Sequence, residues 1–286
     1  MRGEALALGP DPLLMGIVNV TPDSFSDGGA WLAPERAVEH GLRLVEEGAA
    51  ILDVGGESTR PGAEPVSAAA ELDRVLPVVE ALASGSGVPV SIDTTKRKVA
   101  EEALSAGAAI VNDVSALRFS PGIADLAAET GAGLVLMHMK GEPRTMQADP
   151  VYDDLLGEIA SALEEAAGRA RSAGVSAGSI VLDPGIGFGK TPGDNLRLIG
   201  RLDRLRAIGH PVLVGHSRKS FLDPEKRKNP AERLPESLAA GLLAADAGAA
   251  ILRVHDVDAH ARALEVRRRF RTANAEAPME SGEAVR

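Results

Sequence analysis

EEGAAILDVGG, at residues 46–56, contains the pattern that organises the chain. It is typical of a helix end with acidic residues, a glycine suited to the left-handed position after a helix, and then a buried strand. The pattern recurs as SAGAAIVNDVS at 105–115, ETGAGLVLMHM at 129–139 and DAGAAILRVHD at 246–256. The copies lie about two, one and four units apart, where a unit of roughly 24 to 30 residues is one strand plus one helix. The chain therefore repeats a strand–helix unit.

Four further apolar runs complete the set of strands. MGIVNV begins at residue 15, and VPVSIDT, SIVLDPG and HPVLVGHS begin at residues 88, 179 and 210. The runs are continuously apolar, which is typical of a parallel sheet covered on both faces. Eight parallel strands alternating with eight helices favour a closed (β/α)8 TIM barrel, which is an α/β fold, over an open sheet. The helices are predicted at 34–47, 67–83, 96–105, 120–130, 152–173, 195–208, 238–247 and 256–270.

The length of 286 residues is compatible with one large domain, because such barrels commonly run to about 250 residues. We predict a single barrel domain at residues 1–271. The segment 272–286 has no periodicity, so we expect it to be a disordered tail. Three connections after strands, at 21–34, 57–66 and 219–235, are longer than turn closure requires, which is typical of loops that bind or cover a ligand.

Composition excludes several classes of function. The net charge of −10 and an aromatic content of 2% argue against a nucleic-acid surface, which needs basic residues or stacking rings. Residues 1–14 do not resemble a signal peptide, and no apolar run approaches the roughly 20 residues of a membrane helix. The chain has no cysteine, which excludes disulfides and thiolate chemistry and fits a cytosolic location. A small-molecule partner is therefore expected.

Polar residues that would be costly to bury without partners end the predicted strands. They are Asn19, Asp53, Asp93, Asn112 with Asp113, His138, Asp183, Ser217 with Lys219, and Arg253 with His255. In a (β/α)8 barrel the carboxyl ends of the strands share one face, so these side chains should gather at one mouth. Asp93, Asn112 and Asp183, together with the apolar Met137 and Phe188, suit a flat heterocycle rich in N–H donors. The alternative is that the three polar residues cap helices or tie loops.

A second candidate group is cationic and hydroxylic. It consists of Ser217, Arg218, Lys219 and Ser220 after the seventh strand, and Arg253 and His255 at the eighth. The ends of strands seven and eight are where barrels frequently hold phosphate, and an arginine fork matches phosphate oxygens. The alternative is that these cations pair with acids of neighbouring loops, and His255 alone could equally be structural.

The glycine and histidine patterns say less about the kind of site. DPGIGFGK, at 183–190, has a glycine spacing that fits neither a dinucleotide fingerprint nor a Walker loop, so its glycines favour a tight turn or the close approach of a ring. The histidines show no HExxH or paired-ligand spacing, which argues against a dedicated zinc site. A Mg²⁺ ion carried in by a phosphorylated substrate remains open, because Mg²⁺ keeps waters and needs few protein ligands.

The motifs together resemble dihydropteroate synthase of folate biosynthesis. The resemblance is carried, in order, by MGIVNVTPDSFSDGG, DVGGESTRPG, SIDT, NDVS, LMHMKGEPRTMQ, DPGIGFGK, GHSRKSF and ILRVHDV, from about residue 13 to 260. It implies an enzyme that joins p-aminobenzoate to 6-hydroxymethyl-7,8-dihydropterin diphosphate and releases diphosphate with Mg²⁺. It also implies a homodimer and competition by sulfonamides at the p-aminobenzoate site.

The resemblance further implies residue roles. Asp93, Asn112, Asp183 and Lys219 would hold the pterin, with Met137, Phe188, Gly215 and Arg253 around it. Asn19, Arg253 and His255 would hold the diphosphate, with Asn19 also a Mg²⁺ ligand. Phe25, Thr59, Arg60 and Pro61, together with Lys219 and Ser220, would form the p-aminobenzoate site. Asp93, Lys219 and the loop residue Asp27 are the catalytic candidates. The carboxylates of Asp93 and Asp27 can stabilise the cation left on the pterin methylene.

Two departures from the family pattern concern one loop. Leu222, Asp223 and Pro224 follow GHSRKSF where a glycine or small residue is usual, and Leu234 to Ser237 lack an expected glycine. They put the path of that loop in question. Three rival functions remain: a methyltetrahydrofolate-dependent methyltransferase barrel, a Schiff-base aldolase that uses Lys219, and a non-catalytic pterin-binding paralogue. No attached pyrophosphokinase or aldolase domain is expected.

Overall fold

The chain folds into a closed barrel of eight parallel strands. A computed structural model describes residues 6–20, 29–58, 64–142, 144–148, 150–225 and 227–276. The strands are β1 (Leu13–Asn19), β2 (Ile51–Gly55), β3 (Val90–Asp93), β4 (Ile110–Asp113), β5 (Gly133–Met137), β6 (Ile180–Asp183), β7 (Leu213–Val214) and β8 (Ile251–Val254). Their order in the sheet is β6-β5-β4-β3-β2-β1-β8-β7. A parallel bridge between Leu182 and Val212 joins the two ends of that order, so the predicted (β/α)8 barrel is confirmed.

Helices follow the strands and cover the outside of the barrel. They are α1 (Gly29–Glu46), α2 (Ala68–Gly85), α3 (Arg97–Ser105), α4 (Gly122–Thr130), α5 (Leu155–Ser172), α6 (Pro192–Gly200), α7 (Leu202–Arg206), α8 (Leu234–Asp246) and α9 (Val257–Glu276). The main apolar core lies between this layer and the outer face of the strands. None of the helices within the described ranges is both long and apolar enough to cross a membrane.

The repeated glycines act as the sequence predicts. Gly48, Gly107, Gly131 and Gly248 all have positive φ values, between 68° and 113°. The alanine after each glycine donates its backbone N–H to a carbonyl in the preceding helix, as Ala49 does to Leu44 at 2.9 Å. Because this geometry ends a helix and turns the chain into the next strand, the repeat defines four of the eight helix–strand junctions.

Alternation along the strands explains where the polar side chains go. Met15, Ile51, Val135, Leu213 and Ile251 form a separate buried cluster, with Ile110 and Val181 packed against it. These residues come from strands all around the barrel, β1, β2, β5, β7 and β8, so the cluster is the apolar floor inside the barrel. Successive side chains of a strand point to opposite faces, so the residue two positions further along also faces inward, one layer closer to the carboxyl end. Those residues are Ile17, Asp53, Asn112, Met137, Asp183, Gly215 and Arg253.

Several predicted helix boundaries were wrong, among them the starts of α5, at Leu155 rather than at residue 152, and of α8, at Leu234 rather than at residue 238. The sixth helical segment was predicted as one helix at 195–208, but Arg201 has φ −130° and ψ 37°, which separates α6 from α7 directly after Gly200. The first helix begins at Gly29 rather than at Pro34, which lies inside it. The last helix continues through Glu276, so the predicted tail begins at least five residues too early. Residues 277–286 lie outside the described residues.

Candidate active site

Arg253 is the centre of a buried polar network at the barrel mouth. Its Nε donates to Asp53 Oδ2 at 2.6 Å, and its Nη2 donates to Asp93 Oδ2 at 2.8 Å. Asn112 Nδ2 donates to the same Asp53 Oδ2 at 3.0 Å. The structure therefore brings together Asp93, Asn112 and Arg253, three residues far apart in sequence that were predicted to share this mouth.

Asp53 was placed wrongly at a strand end. It lies in the middle of β2 and is fully buried. Its side chain faces the barrel interior, where Oδ2 accepts the two hydrogen bonds from Arg253 and Asn112, and Oδ1 has no partner among the described residues. Asp53 therefore orients two predicted site residues and belongs to the site. An acid flanked by apolar residues within a parallel strand was the available signal.

Burial shapes the charge state of this network. Burial raises the pKa of Asp93 to about 7, against the opposing effect of the Arg253 guanidinium, while the Asp53 charge adds to the rise. Burial also disfavours the charged form of Arg253, but Asp53 and Asp93 outweigh it and its pKa is raised. Arg253 therefore stays cationic, whereas Asp93 can exchange a proton near neutral pH.

Asp183 is the last residue of β6, at the same carboxyl-terminal end of the barrel. Its Oδ1 accepts a hydrogen bond from the Gly185 N–H at 2.7 Å, and its Oδ2 accepts none from the described part of the chain. Burial raises the pKa of Asp183, and the charge of Lys219 opposes that rise. A carboxylate with one oxygen fixed by the backbone and the other directed to the mouth can accept from a ligand N–H group.

Lys219 faces Asp183 from the other side of the mouth. Its Nζ donates to the Ile186 carbonyl and lies 4.5 Å from the centroid of the Phe188 ring. Burial lowers its pKa to about 8, and the Asp183 charge works in the opposite direction. A Cβ atom on Gly215 would lie 4.0 Å from this Nζ and 3.9 Å from Arg253 Cβ. Gly215 therefore lies between the two cations, as a residue of the predicted pterin pocket should.

Met137 and Phe188 form one side of the mouth. Both belong to a small apolar cluster with Val114, Met139 and Met146, in which Phe188 is partly buried. Met137 is paired in register with Asp183 across β5 and β6, so the apolar side adjoins the carboxylate. The cluster confirms that Met137 and Phe188 come together. Val114, Met139 and Met146 were missed, because isolated apolar residues in loops carry no periodic signal.

The residues after β7 and β8 form a second part of the site. Ser217 Oγ lies 3.2 Å from both the backbone N and the Nδ1 of His255. Arg218 makes a two-point ion pair with Asp256, with Nε 2.9 Å from Oδ2. Arg218 therefore follows the alternative interpretation, a cation paired with a neighbouring acid. Ser220 is exposed at the start of a short 3-10 helix, Ser220–Leu222.

Asn19 ends β1 and is paired in register with Gly55 of β2. Its amide oxygen is the only predicted metal ligand, and the described residues contain no group of three acidic or histidine side chains that could hold an ion. A single amide oxygen fits Mg²⁺ that is bound mainly by substrate oxygens and water, which is how Mg²⁺ is often held. It does not fit a protein-built metal cage.

The remaining predictions concern loops. Phe25, Asp27, Thr59, Arg60 and Pro61 lie outside the described residues. Glu57, at the start of the second loop, accepts from the Val66 N–H at 2.8 Å and from Lys96 Nζ at 2.7 Å. Its carboxylate therefore joins the two ends of that loop.

The path of the 219–235 loop, which the sequence left in question, is fixed by Arg233. This buried guanidinium donates to the carbonyls of Arg218 and Lys228 at 3.0 and 2.8 Å. Asp223 Oδ2 lies 3.7 Å from Arg233 Nε and accepts from the Lys228 N–H at 2.8 Å. The unusual Asp223 is thus part of the loop's own support. The strand-end residues keep their places beside it.

Comparisons with known proteins agree with this geometry. The pterin binding enzyme family matches residues 15–255. Dihydropteroate synthase of Escherichia coli is 48% identical over 265 residues, which cover 93% of each chain. Among solved structures, Xanthomonas albilineans dihydropteroate synthase with 4-aminobenzoic acid has a TM-score of 0.86 at 48% identity, covering 94% of each chain. The same enzyme in complex with 7,8-dihydropteroate has a TM-score of 0.83 at 45% identity, covering 96% of this chain and 97% of that one.

A Yersinia pestis dihydropteroate synthase in a sulfonamide drug complex has a TM-score of 0.89 at 44% identity, covering 95% of this chain and 98% of that chain. Identity at this level over nearly the whole of both chains is more than a shared fold requires. The chain belongs to the dihydropteroate synthase family of pterin-binding enzymes.

Proposed function

We propose that this enzyme condenses p-aminobenzoate with 6-hydroxymethyl-7,8-dihydropterin diphosphate to give 7,8-dihydropteroate and diphosphate. The observation that carries the proposal is the convergence of Asp93, Asn112, Asp183, Lys219 and Arg253 on one mouth. Acceptors, cations and the apolar pair of Met137 and Phe188 are all present there. The relatives bound to 4-aminobenzoic acid and to 7,8-dihydropteroate support the same pair of substrate and product classes.

The pterin ring would lie between the apolar side and the carboxylates. Asp183 would accept N–H donors of the ring through Oδ2, and Asn112 would pair with the ring edge while Asp53 holds its amide. Lys219, above Phe188, would donate to a ring carbonyl or nitrogen. Because a pterin presents donors and acceptors in a fixed plane, this arrangement gives orientation as well as affinity.

In the reaction, the aniline nitrogen of p-aminobenzoate forms a bond to the pterin methylene carbon as the bond from that carbon to the diphosphate oxygen breaks. The nitrogen then loses one proton. Positive charge develops next to the ring, where Asp93 would stabilise it, and negative charge develops on the leaving group, beside Arg253 and His255. When bound, Mg²⁺ would supply further neutralisation of the diphosphate, with Asn19 as its protein ligand. No side-chain nucleophile is needed.

The p-aminobenzoate site is proposed from Phe25, Thr59, Arg60 and Pro61 together with Lys219 and Ser220, and Asp27 is proposed to assist Asp93. The sulfonamide complex of the Yersinia pestis relative supports competition by sulfonamides at this position. The test is a competition assay, in which a sulfonamide should raise the KM for p-aminobenzoate without changing the maximal rate. Inhibition that excess p-aminobenzoate does not relieve would argue against the shared site.

The direct test of function is diphosphate release from both substrates with Mg²⁺. Asp183→Asn and Lys219→Ala should abolish pterin binding, while Arg60→Ala should chiefly weaken use of p-aminobenzoate. Asp203→Asn and Lys98→Ala change similar exposed residues and serve as controls that keep parent activity. A protein that binds the pterin diphosphate yet releases none on adding p-aminobenzoate would be the non-catalytic paralogue. Equal pterin affinity in all three site variants would contradict the assignments.

We also propose a cytoplasmic homodimer. Support for the dimer comes from Leu196 on α6 and Leu243 on α8, which are 59% and 63% exposed on neighbouring helices. Large exposed apolar side chains on helices in contact with each other offer apolar area that a second copy of the chain would cover. The absence of cysteine is compatible with a reducing compartment. Light scattering should give twice the mass of one chain, and Leu243→Lys should lower it to that of a monomer. Fractionation of the source cells should place the enzyme with the cytoplasmic proteins.

A further inference from the structure

The loop after β6, residues 184–190, is held by three side chains from other parts of the chain and by its own Lys190. Four successive carbonyls, those of residues 186–189, each accept a hydrogen bond from a different side chain. The donors are Lys219 for Ile186, Gln147 for Gly187 at 2.7 Å, Lys190 for Phe188 at 2.9 Å and Tyr152 for Gly189 at 2.8 Å. The loop therefore takes its shape from these donors, because it makes few backbone hydrogen bonds of its own.

The loop backbone also lies directly against the chain that leaves β5. A Cβ atom on Gly185 would lie 1.9 Å from the His138 carbonyl oxygen, and one on Gly189 would lie 2.6 Å from the Lys140 carbonyl oxygen. Both glycines have positive φ values, 67° and 64°. Two segments in such close contact move together, so a change in the anchor between them is transmitted to the loop.

Lys190 is that anchor. Its side chain is 2% exposed, and its Nζ lies 2.9 Å from the Phe188 carbonyl, 3.3 Å from the His138 carbonyl and 3.1 Å from His138 Nδ1. An ammonium group only donates, so His138 Nδ1 is the acceptor when Lys190 is charged. All three donors of Lys190 are thus used, two on the segment after β5 and one on the loop after β6.

Burying the Lys190 ammonium group costs free energy, and no salt bridge with a described residue offsets that cost. Burial lowers the pKa of Lys190 to about 7, while the charge of Asp183 opposes that effect. No carboxylate in the described part of the chain lies within ion-pair distance of its Nζ. A buried cation without an ion pair is expensive, so its three hydrogen bonds must be what the position requires.

We infer that Lys190 is a positioning residue for the pterin site: its buried ammonium group fixes the 184–190 loop against the end of β5 and thereby sets the positions of Phe188 and Asp183. The inference rests on the proposed function only in naming the ligand as a pterin. The aromatic ring of Phe188 lies below the Lys219 ammonium group, and Asp183 accepts a hydrogen bond from the Gly185 N–H of the same loop. Lys190 itself does not touch the reacting atoms.

The test measures the two substrates separately. In Lys190→Met, which keeps the length of the side chain but removes the donors, the Kd for 6-hydroxymethyl-7,8-dihydropterin diphosphate should rise about tenfold or more, a change of about 1.4 kcal/mol. The KM for p-aminobenzoate at saturating pterin should stay within about twofold of the parent. Tyr152→Phe removes a single donor from the adjacent carbonyl and should give a smaller shift in the same direction. Lys98→Met, which changes an exposed side chain of α3, is the charge-matched control.

Parent pterin affinity in a folded Lys190→Met would overturn the inference, and so would an equal loss of affinity for both substrates with a lower thermal midpoint. If Lys190→Met does not fold, Tyr152→Phe combined with Gln147→Leu tests the same loop, and an unchanged pterin Kd in that variant would likewise overturn it. The inference and the proposed function fail separately. A parent protein that releases no diphosphate refutes the function, while a selective loss of pterin affinity in Lys190→Met still supports the positioning role.

Discussion

Asp53 offers a direct test of how the mouth is built. Its Oδ2 accepts from Arg253 Nε at 2.6 Å and from Asn112 Nδ2 at 3.0 Å, in a fully buried position. Asp53→Ala removes the oxygen that accepts both hydrogen bonds and leaves Arg253 with Asp93 alone. Removing one partner of a buried ion pair costs about 3 to 5 kcal/mol. Because Arg253 keeps its bond to Asp93 and its side chain is 20% exposed, we expect the lower end of that range.

Asp53→Asn separates the charge from the hydrogen bonds. The amide oxygen can take the place of Oδ2 and accept from both partners, while the amide NH2 group replaces Oδ1, which has no partner in the described structure. An unsatisfied buried donor costs about 1 to 3 kcal/mol. Removing the Asp53 charge also removes one cause of the raised Asp93 pKa, so that pKa should fall below its present value of about 7.

The assays are urea unfolding, titration of pterin diphosphate binding, and the pH dependence of diphosphate release. Asp53→Ala should lose both stability and pterin affinity, and Asp53→Asn should lose less of each while shifting the acidic limb of the pH profile downward. Asp203→Asn, on the surface of α7, provides the control. If Asp53→Ala unfolds within about 1 kcal/mol of the parent and binds the pterin as tightly, then Arg253 and Asn112 are positioned by something else and the reasoning is refuted.

Three further predictions follow from other parts of the barrel. Gly185→Ala should lower the free energy of unfolding in urea by about 2 kcal/mol and weaken pterin binding. The added Cβ would meet the His138 carbonyl, and the backbone φ at this position is 67°. Parent-like pterin affinity would show that the loop can shift without effect. Arg267→Leu removes a buried guanidinium that pairs with the partly exposed Asp11 and the exposed Asp246 at 2.7 Å each and should cost about 1 to 2 kcal/mol of stability with kcat unchanged, so a changed kcat would contradict a purely structural role. Burial, and then the charge of a neighbouring histidine, lowers the pKa of His216 from 6.5 to about 3, so its neutral form stabilises the fold above pH 6.5 and that contribution is lost as pH falls towards 3. His216→Gln should therefore take up about one proton fewer on unfolding across that window, measured as the slope of unfolding free energy against pH, and an unchanged slope would show that His216 is not the titrating group.

The fold was predictable because its information is local and repeated. The glycine of each repeat ends a helix, and the apolar residues after it form a strand, so four of the eight units can be identified from one pattern. The site followed from the same pattern, since period-two alternation puts Asn112, Asp183 and Arg253 in the layer above the apolar floor. In a barrel strand, the side chain two residues past one that faces the interior also faces the interior, whatever its chemistry.

Contacts between distant segments were the part that sequence reasoning could not supply. Nothing in the sequence around Asp53 indicates that it accepts a hydrogen bond from Arg253, 200 positions away. Likewise, the departures at Asp223 and Leu234 raised a question about the loop that only Arg233, reaching back to the Arg218 carbonyl, resolves. Such pairs depend on how distant segments of the chain pack against one another, and local residue patterns do not show which segments will meet.

The electrostatics of the mouth explain why it is suited to a ligand with both donors and negative charge. Burial raises the pKa of Asp93 and of Asp183, and it lowers that of Lys219. Each shift means that the charged form is incompletely compensated by the protein alone. A flat ring with N–H donors would supply partners for the carboxylates, and an anionic tail would supply one for the cations. The groups whose burial is unfavourable in the protein alone would therefore be stabilised by a bound pterin diphosphate, and this stabilisation would favour that ligand over one lacking either the donors or the charge.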